Sequence, residues 1–188
     1  MAGAFHTMFN KLFNRKKEPA DDPLNITVRD LHLGYILEYD LRTWEITAEY
    51  EYDWGDENFS KEYRLSDGKE TRYLSVEEND QLELTWSRKI KLAQIQSDLA
   101  RTIENDGRPP DTLVFEGRTY YFDEESPGYF NDLGEKNEAW EEFIVWDYYD
   151  EEDQYCLSIE RWDERSFDAS VGKVLAGHEI SNILPRER

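Results

Sequence analysis

The chain has 188 residues, and its 43 Asp and Glu against 22 Lys and Arg leave a formal charge of −21. Nucleic acids are held through cations that displace phosphate counterions, so this balance excludes them as partners for the body of the protein and disfavours free anionic lipid. Six Trp, 12 Tyr and nine Phe call for a folded core of large rings in one substantial domain, and the single Cys156 has no partner for an internal disulfide.

Residues 1–22 differ from everything that follows. Phe5, Met8, Phe9, Leu12 and Phe13 recur at helical spacing, and Lys11, Arg15, Lys16 and Lys17 form the dense positive cluster of the chain. The spacing predicts a short amphipathic helix ending in a linker at Glu18 to Pro23. So short a helix is marginal alone in water. It is expected to contact a membrane-associated protein partner or the membrane surface itself, and folding back on its own acidic domain is the competing expectation. His6, Asn10 and Lys11 interrupt its apolar residues, so it is not a secretory h-region, and no run reaches the 18 or so apolar residues of a membrane span. A cytoplasmic protein, at most peripheral to the inner membrane, is expected.

From residue 23 to 188 one β domain is expected. Trp44, Ile46, Ala48, Tyr50, Tyr52 and Trp54 alternate with Glu45, Thr47, Glu49, Glu51 and Asp53, which predicts a half-buried strand with all six apolar residues on one face. Leu33 to Tyr39 is its upstream partner through a turn at Asp40 to Thr43. Phe59 to Leu65, Arg72 to Glu77 and Leu82 onward are further strands, with a hairpin signal at Ser66-Asp67-Gly68. That last strand is expected to run to about Gln94, with a short helix near 97–105, capped by Ser97 and stopped by Gly107. The second half has a hairpin around Glu116-Gly117, a loop from Glu124 to Lys136, a strand from Glu142 to Tyr149 apolar on both faces, and strands from Tyr155 to Trp162 and from Phe167.

Leu74-Ser75-Val76-Glu77 and Leu157-Ser158-Ile159-Glu160 read almost alike, 83 positions apart (157 − 74). At the same offset Leu84 falls on Phe167, and Tyr52-Asp53-Trp54 precedes one copy as Trp146-Asp147-Tyr148 precedes the other. The fold class expected is mainly β, an antiparallel barrel or roll made of two related half-sheets, residues 24–104 and 112–184. Leu74, Val76, Leu157 and Ile159 take one face, and the Ser and Glu residues take the other.

Gly34-Tyr35-Ile36-Leu37-Glu38-Tyr39, Thr43-Trp44-Glu45-Ile46, Glu62-Tyr63-Arg64-Leu65, Tyr73-Leu74-Ser75-Val76-Glu77-Glu78, Tyr120-Tyr121-Phe122, Trp146-Asp147-Tyr148-Tyr149 and Leu157-Ser158-Ile159-Glu160-Arg161-Trp162 together resemble the bacterial domain of unknown function DUF4178, over Leu24 to Pro185. The resemblance implies a mostly β domain with no defined catalytic residues, associated with membrane-stress systems of the phage-shock type. It does not cover the basic N-terminal segment.

The chain carries no phosphate-binding glycine loop, no Gly-x-Ser-x-Gly, no His-Glu-x-x-His and no cysteine pair, so no catalytic residue, metal site or cofactor is assigned. Glu77 and Glu160 occupy equivalent positions in the two halves. They are expected to be solvated strand-end glutamates, and the alternative is a carboxylate pair facing across the sheets. Asp147 and Asp150 to Asp153 lack calcium-loop spacing. The leading expectation is a non-catalytic interaction module acting with a membrane-associated partner. The alternative is a ligand-binding or enzymatic barrel, with a polyamine or carbohydrate in an aromatic cavity flanked by carboxylates.

Overall fold

The computed structural model describes residues 26–78, 81–134 and 139–185. The expected N-terminal helix, with Phe5, Met8, Phe9, Lys11, Leu12, Phe13, Arg15, Lys16 and Lys17, lies outside the described residues. The first half contributes β1 (Ile36–Tyr39), β2 (Arg42–Asp53), β3 (Phe59–Ser66), β4 (Thr71–Glu78) and β5 (Leu82–Ile90). Two short helices follow, α1 (Leu92–Ile95) and α2 (Leu99–Asp106). The second half contributes β6 (Thr112–Phe115), β7 (Arg118–Asp132), β8 (Glu141–Tyr149), β9 (Tyr155–Arg161) and β10 (Phe167–Leu175), and β11 (Ser181–Leu184) ends the fold.

Each half opens with a two-residue hairpin. Asp40 (φ 51°) and Leu41 (φ 58°) join β1 to β2, and Glu116 (φ 49°) and Gly117 (φ 79°) join β6 to β7. Two consecutive left-handed residues give the turn whose twist matches the strands it connects. Both halves then continue as antiparallel meanders, and they meet along β5 and β10, where Ser87 faces Gly172. The strand order is β11-β1-β2-β3-β4-β5-β10-β9-β8-β7-β6. A further pairing, Tyr50–Asp53 of β2 with Tyr129–Asp132 of β7, closes β2–β5 and β7–β10 into a ring. The expected mainly β antiparallel architecture is observed, as one large sheet with ring-like closure.

The six-residue alternation of β2 does not hold. A register shift between Ile46 and Ala48 inserts an extra residue into the strand. Trp44 and Ile46 enter the core of the first half, whereas Tyr50, Tyr52 and Trp54 turn to the opposite face. Because side chains alternate with period two, one inserted residue exchanges the faces of all that follow. β7 does the same between Phe122 and Glu124, and Phe122 packs in the second core while Phe130 crosses to the other face. The long strands therefore serve two compartments each.

Each half-sheet coils around its own apolar core. In the first, Trp44, Ile46, Tyr63, Leu65, Leu74, Val76, Leu84 and Trp86 are buried, capped by Val28 and Leu31 of the N-terminal turn. Tyr39 reaches across to Trp86 with ring centroids 4.6 Å apart. In the second, Tyr120, Trp146, Tyr148, Leu157 and Ile159 pack under Leu99 and Ile103 of α2. Gly107 ends that helix in the left-handed conformation (φ 83°) that favours glycine, as its position in the sequence suggests.

Three further expectations are corrected. Gln94 lies in α1, because the strand ends at Ile90, and Asp98 rather than Ser97 precedes α2. Glu124 to Asp132 is strand, not loop. Its Pro127 and Gly128 read as turn signals, but Gly128 is needed because a Cβ there would lie 2.9 Å from Trp54 and 3.0 Å from Phe143. The offset of 83 holds for β4 and β9 only. Leu84 pairs with Val76 and Ala169 with Ile159, so the counterpart of Leu84 is Ala169 rather than Phe167.

Candidate ligand-binding lumen

The faces of the ring strands turned away from the two cores enclose a cavity of about 690 Å³. Ser75 and Glu77 on β4, and Ser158 and Glu160 on β9, point into it, as the alternation of the twin segments requires. Glu77 and Glu160, expected to be solvated strand-end glutamates, thus line one cavity. Glu160 is largely buried and takes an ion pair from Lys89, with Nζ 3.1 Å from Oε2.

The pairing brings in two carboxylates that the sequence did not single out as a pair. Glu62 lies opposite Ser75, whose hydroxyl donates to Glu62 Oε2 at 3.1 Å. Asp147 lies opposite Ser158, whose hydroxyl donates to Asp147 Oδ1. Since Ser75 and Ser158 are equivalent, so are Glu62 and Asp147. Asp53, which falls near Asp147 by local likeness, is not its counterpart. Asp147 also stands apart from the acidic turn that follows it, where Asp150 accepts the backbone N–H of Gln154 and Tyr155 and pairs with Arg118 at 2.6 Å.

Both carboxylates resist ionisation. Burial pushes Glu62 up to about 6, with Glu160 adding to the rise, and Lys89 and the bonds from Ser75 and Tyr52 opposing it. Burial pushes Asp147 further, to about 7; the Ser158 bond opposes this while Glu124, Glu160 and Glu77 add to it. Desolvation and like charge act here in the same direction. Burial alone would lower the Lys89 ammonium, but Glu160, Glu62 and Asp168 together hold it above the ordinary lysine range.

One part of the lumen is walled by rings. Tyr52 stacks on Trp54 at 5.6 Å, and Phe143 stacks on Trp162 at 4.9 Å. Trp54 Nε1 donates to Ser60 Oγ at 2.9 Å, which fixes that indole against the wall. Elsewhere the lining is carboxylate and hydroxyl: Glu83, Asp123, Glu124 and Asp153 join the four acids already named, with Thr85, Ser87 and Ser170 between them. Cys156 is buried here, and burial pushes its thiol up to about 12, so it is a poor nucleophile at neutral pH.

Four further cations lie on the other side of the same strands. Arg72, Arg88, Arg118 and Lys173 line a shallower groove of about 290 Å³. They pair with Glu70, Glu116, Asp150 and Glu179 in that order. Among the described residues no helix is long and apolar enough to cross a membrane.

The fold and this lining define a closed antiparallel β domain with two apolar cores flanking an acidic lumen. The chain belongs to the DUF4178 family, a domain of unknown function, whose family model matches residues 32–177. It is similar to an uncharacterized protein of Aquifex aeolicus (strain VF5), 26% identical over 183 residues that cover 97% of this chain and 99% of the relative. No solved structure matches.

Proposed function

We propose that the chain is a binding module that captures a small organic cation, an amine, inside the lumen. The observation that carries this reading is the excess of negative charge in the lumen: eight carboxylates line one cavity of about 690 Å³, and Lys89, on the same face of β5, pairs with Glu160 of that set. Gathering like charges in a partly desolvated space is unfavourable, and a bound cation offsets that repulsion. A neutral carbohydrate would leave it in place. The rings of Tyr52, Trp54, Phe143 and Tyr149 on the same walls suit an ammonium with an alkyl body, which is attracted to π faces. A small metal ion fits less well, because among the described residues no three His, Cys, Asp or Glu side chains converge closely enough to hold one.

The test is calorimetry and thermal shift with spermidine and putrescine at fixed ionic strength, with glucose and magnesium chloride as comparisons. A ligand that binds only the folded state stabilises it by about 2.7 kcal/mol at one hundred times its Kd. Spermidine is expected to raise the Tm well beyond magnesium at equal ionic strength, and the double variant Glu62→Gln with Asp147→Asn to reduce that gain. Equal shifts from both, or a gain indifferent to that double variant, would overturn the reading.

A further inference from the structure

The two halves of the lumen hold equivalent acids, but the position of Lys89 in the first is taken by a valine in the second. About the point where Ser87 faces Gly172, Lys89 of β5 pairs with Ser170 and Val174 of β10 pairs with Thr85. Ser170 and Thr85 are themselves equivalent, since they face Ser158 and Ser75. The register therefore places Val174 where the other half has Lys89. In the same way Glu77 faces Glu83 as Glu160 faces Asp168, and Asp147 matches Glu62.

In the first set the ammonium of Lys89 lies 3.1 Å from Glu160 and 3.7 Å from Asp168, and its charge acts on Glu62. It also lies 5.7 Å from the centre of the Tyr73 ring. The protein thus displays, with its own side chain, how these carboxylates receive a primary ammonium. We propose that the second set, Glu77, Glu83 and Asp147, receives the primary ammonium end of a linear aliphatic polyamine. This rests on the amine-binding reading above and gives it a class of ligand and a location.

The chemistry of the group matches the set. Lys89 meets two carboxylates directly, and a primary ammonium can meet the equivalent facing pair Glu77 and Glu83 in the same way, beside Asp147. The apolar Val174 and Cys156, which stand where the first half has Lys89 and Tyr73, border the path of the methylenes. The electrostatics agree with the exchange of Lys for Val: Lys89 lowers Glu62, which reaches about 6, whereas Asp147, with carboxylates as its charged neighbours, reaches about 7. A monoamine would use only a fraction of the cavity. Asp123, Glu124 and Asp153 line it as well and serve the further ammonium groups of a polyamine.

Spermidine titrated into the full chain by calorimetry, at fixed ionic strength, tests this. Val174→Lys supplies a tethered ammonium to the second set and is expected to weaken spermidine by at least about tenfold, with Val174→Met as the size control, held within about threefold. Glu83→Gln, at the exposed rim, is expected to weaken it by about fivefold, while Asp168→Asn, whose partner is Lys89, changes it less than about twofold. n-Butylamine is expected to bind at least about tenfold more weakly than spermidine. Spermidine binding that is lost with Glu62→Gln yet indifferent to Val174→Lys and Glu83→Gln would overturn this placement while leaving the amine-binding reading intact. If spermidine does not bind the wild-type chain at all, both fall.

Discussion

Asp147 carries a carboxylate into the lumen at an energetic cost, and replacing it by Asn measures that cost. Its pKa rises from 3.8 to about 7, chiefly through burial, and at 1.36 kcal/mol per unit the gap corresponds to about 4 kcal/mol. Water in the lumen shields part of the charge, so about 2–4 kcal/mol is expected. The sign follows from linkage. The folded state keeps a proton that the unfolded chain releases, so this contribution is complete below about pH 4 and is lost as pH rises to about 7. Asn keeps an acceptor for the Ser158 hydroxyl and carries no charge. Asp147→Asn is therefore expected to be more stable than wild type by about 2–4 kcal/mol at pH 8, with the difference reduced by more than half at pH 5. Urea unfolding followed by Trp fluorescence at the two pH values reads this directly, and pH 5 stays above the sequence pI of about 4.4. Equal stability at pH 8, or a difference that does not change with pH, would refute a desolvated Asp147. The same variant is expected to bind spermidine more weakly, so that stability and binding move in opposite directions, as at sites where function opposes stability.

Gly128→Ala places a methyl group 2.9 Å from Trp54 and 3.0 Å from Phe143, two rings held by their own neighbours, and should cost about 1–3 kcal/mol in the same assay. No loss there would mean that the ring wall is loosely packed. Leu41 is fully exposed at a φ of 58°, and Leu41→Gly should stabilise the hairpin by about 0.5–1 kcal/mol; a loss would show that this leucine has a contact of its own. For the basic N-terminal segment, the full chain should co-sediment with anionic liposomes and residues 21–188 should not, with spermidine affinity the same in both. Equal sedimentation of the two, or none by either, would remove the membrane contact.

Much of the fold was legible in the sequence because hairpin chemistry and period two are local signals. Asp40-Leu41, Glu116-Gly117 and Gly107 mark their turns and cap where expected, and the faces of Leu74 to Glu77 follow from alternation alone. The bulges were not legible. A residue such as Thr47 looks like any other strand residue, and only pairing with β3 shows that the count has slipped. β7 was hidden by its polar residues. Asp123 and Glu124 line the polar lumen rather than a core, so a strand there reads like a loop. The equivalence of Glu62 and Asp147 was hidden by spacing. Glu62 lies 13 residues before its serine and Asp147 lies 11 before the other, so no constant offset aligns them. Cross-strand register is tertiary information, and the candidate site is built from it.

The closure of the ring by β2 and β7 also bears on the order of folding. Within each half every strand pairs with its neighbour in sequence, and such local contacts form fast. Closure instead joins Tyr52 to Phe130 and Ser87 to Gly172, segments that a long intervening chain must bring together. The halves are therefore expected to form first, with closure limiting the rate. Closure is also the step that crowds the acids, so protonating them should lower its barrier. Refolding in stopped-flow should accelerate as pH falls from 8 to 5, and a refolding rate independent of pH would place the crowding after the barrier. On this view the acidic lumen acts as a brake on the protein's own assembly, and a polycation present during refolding would release it.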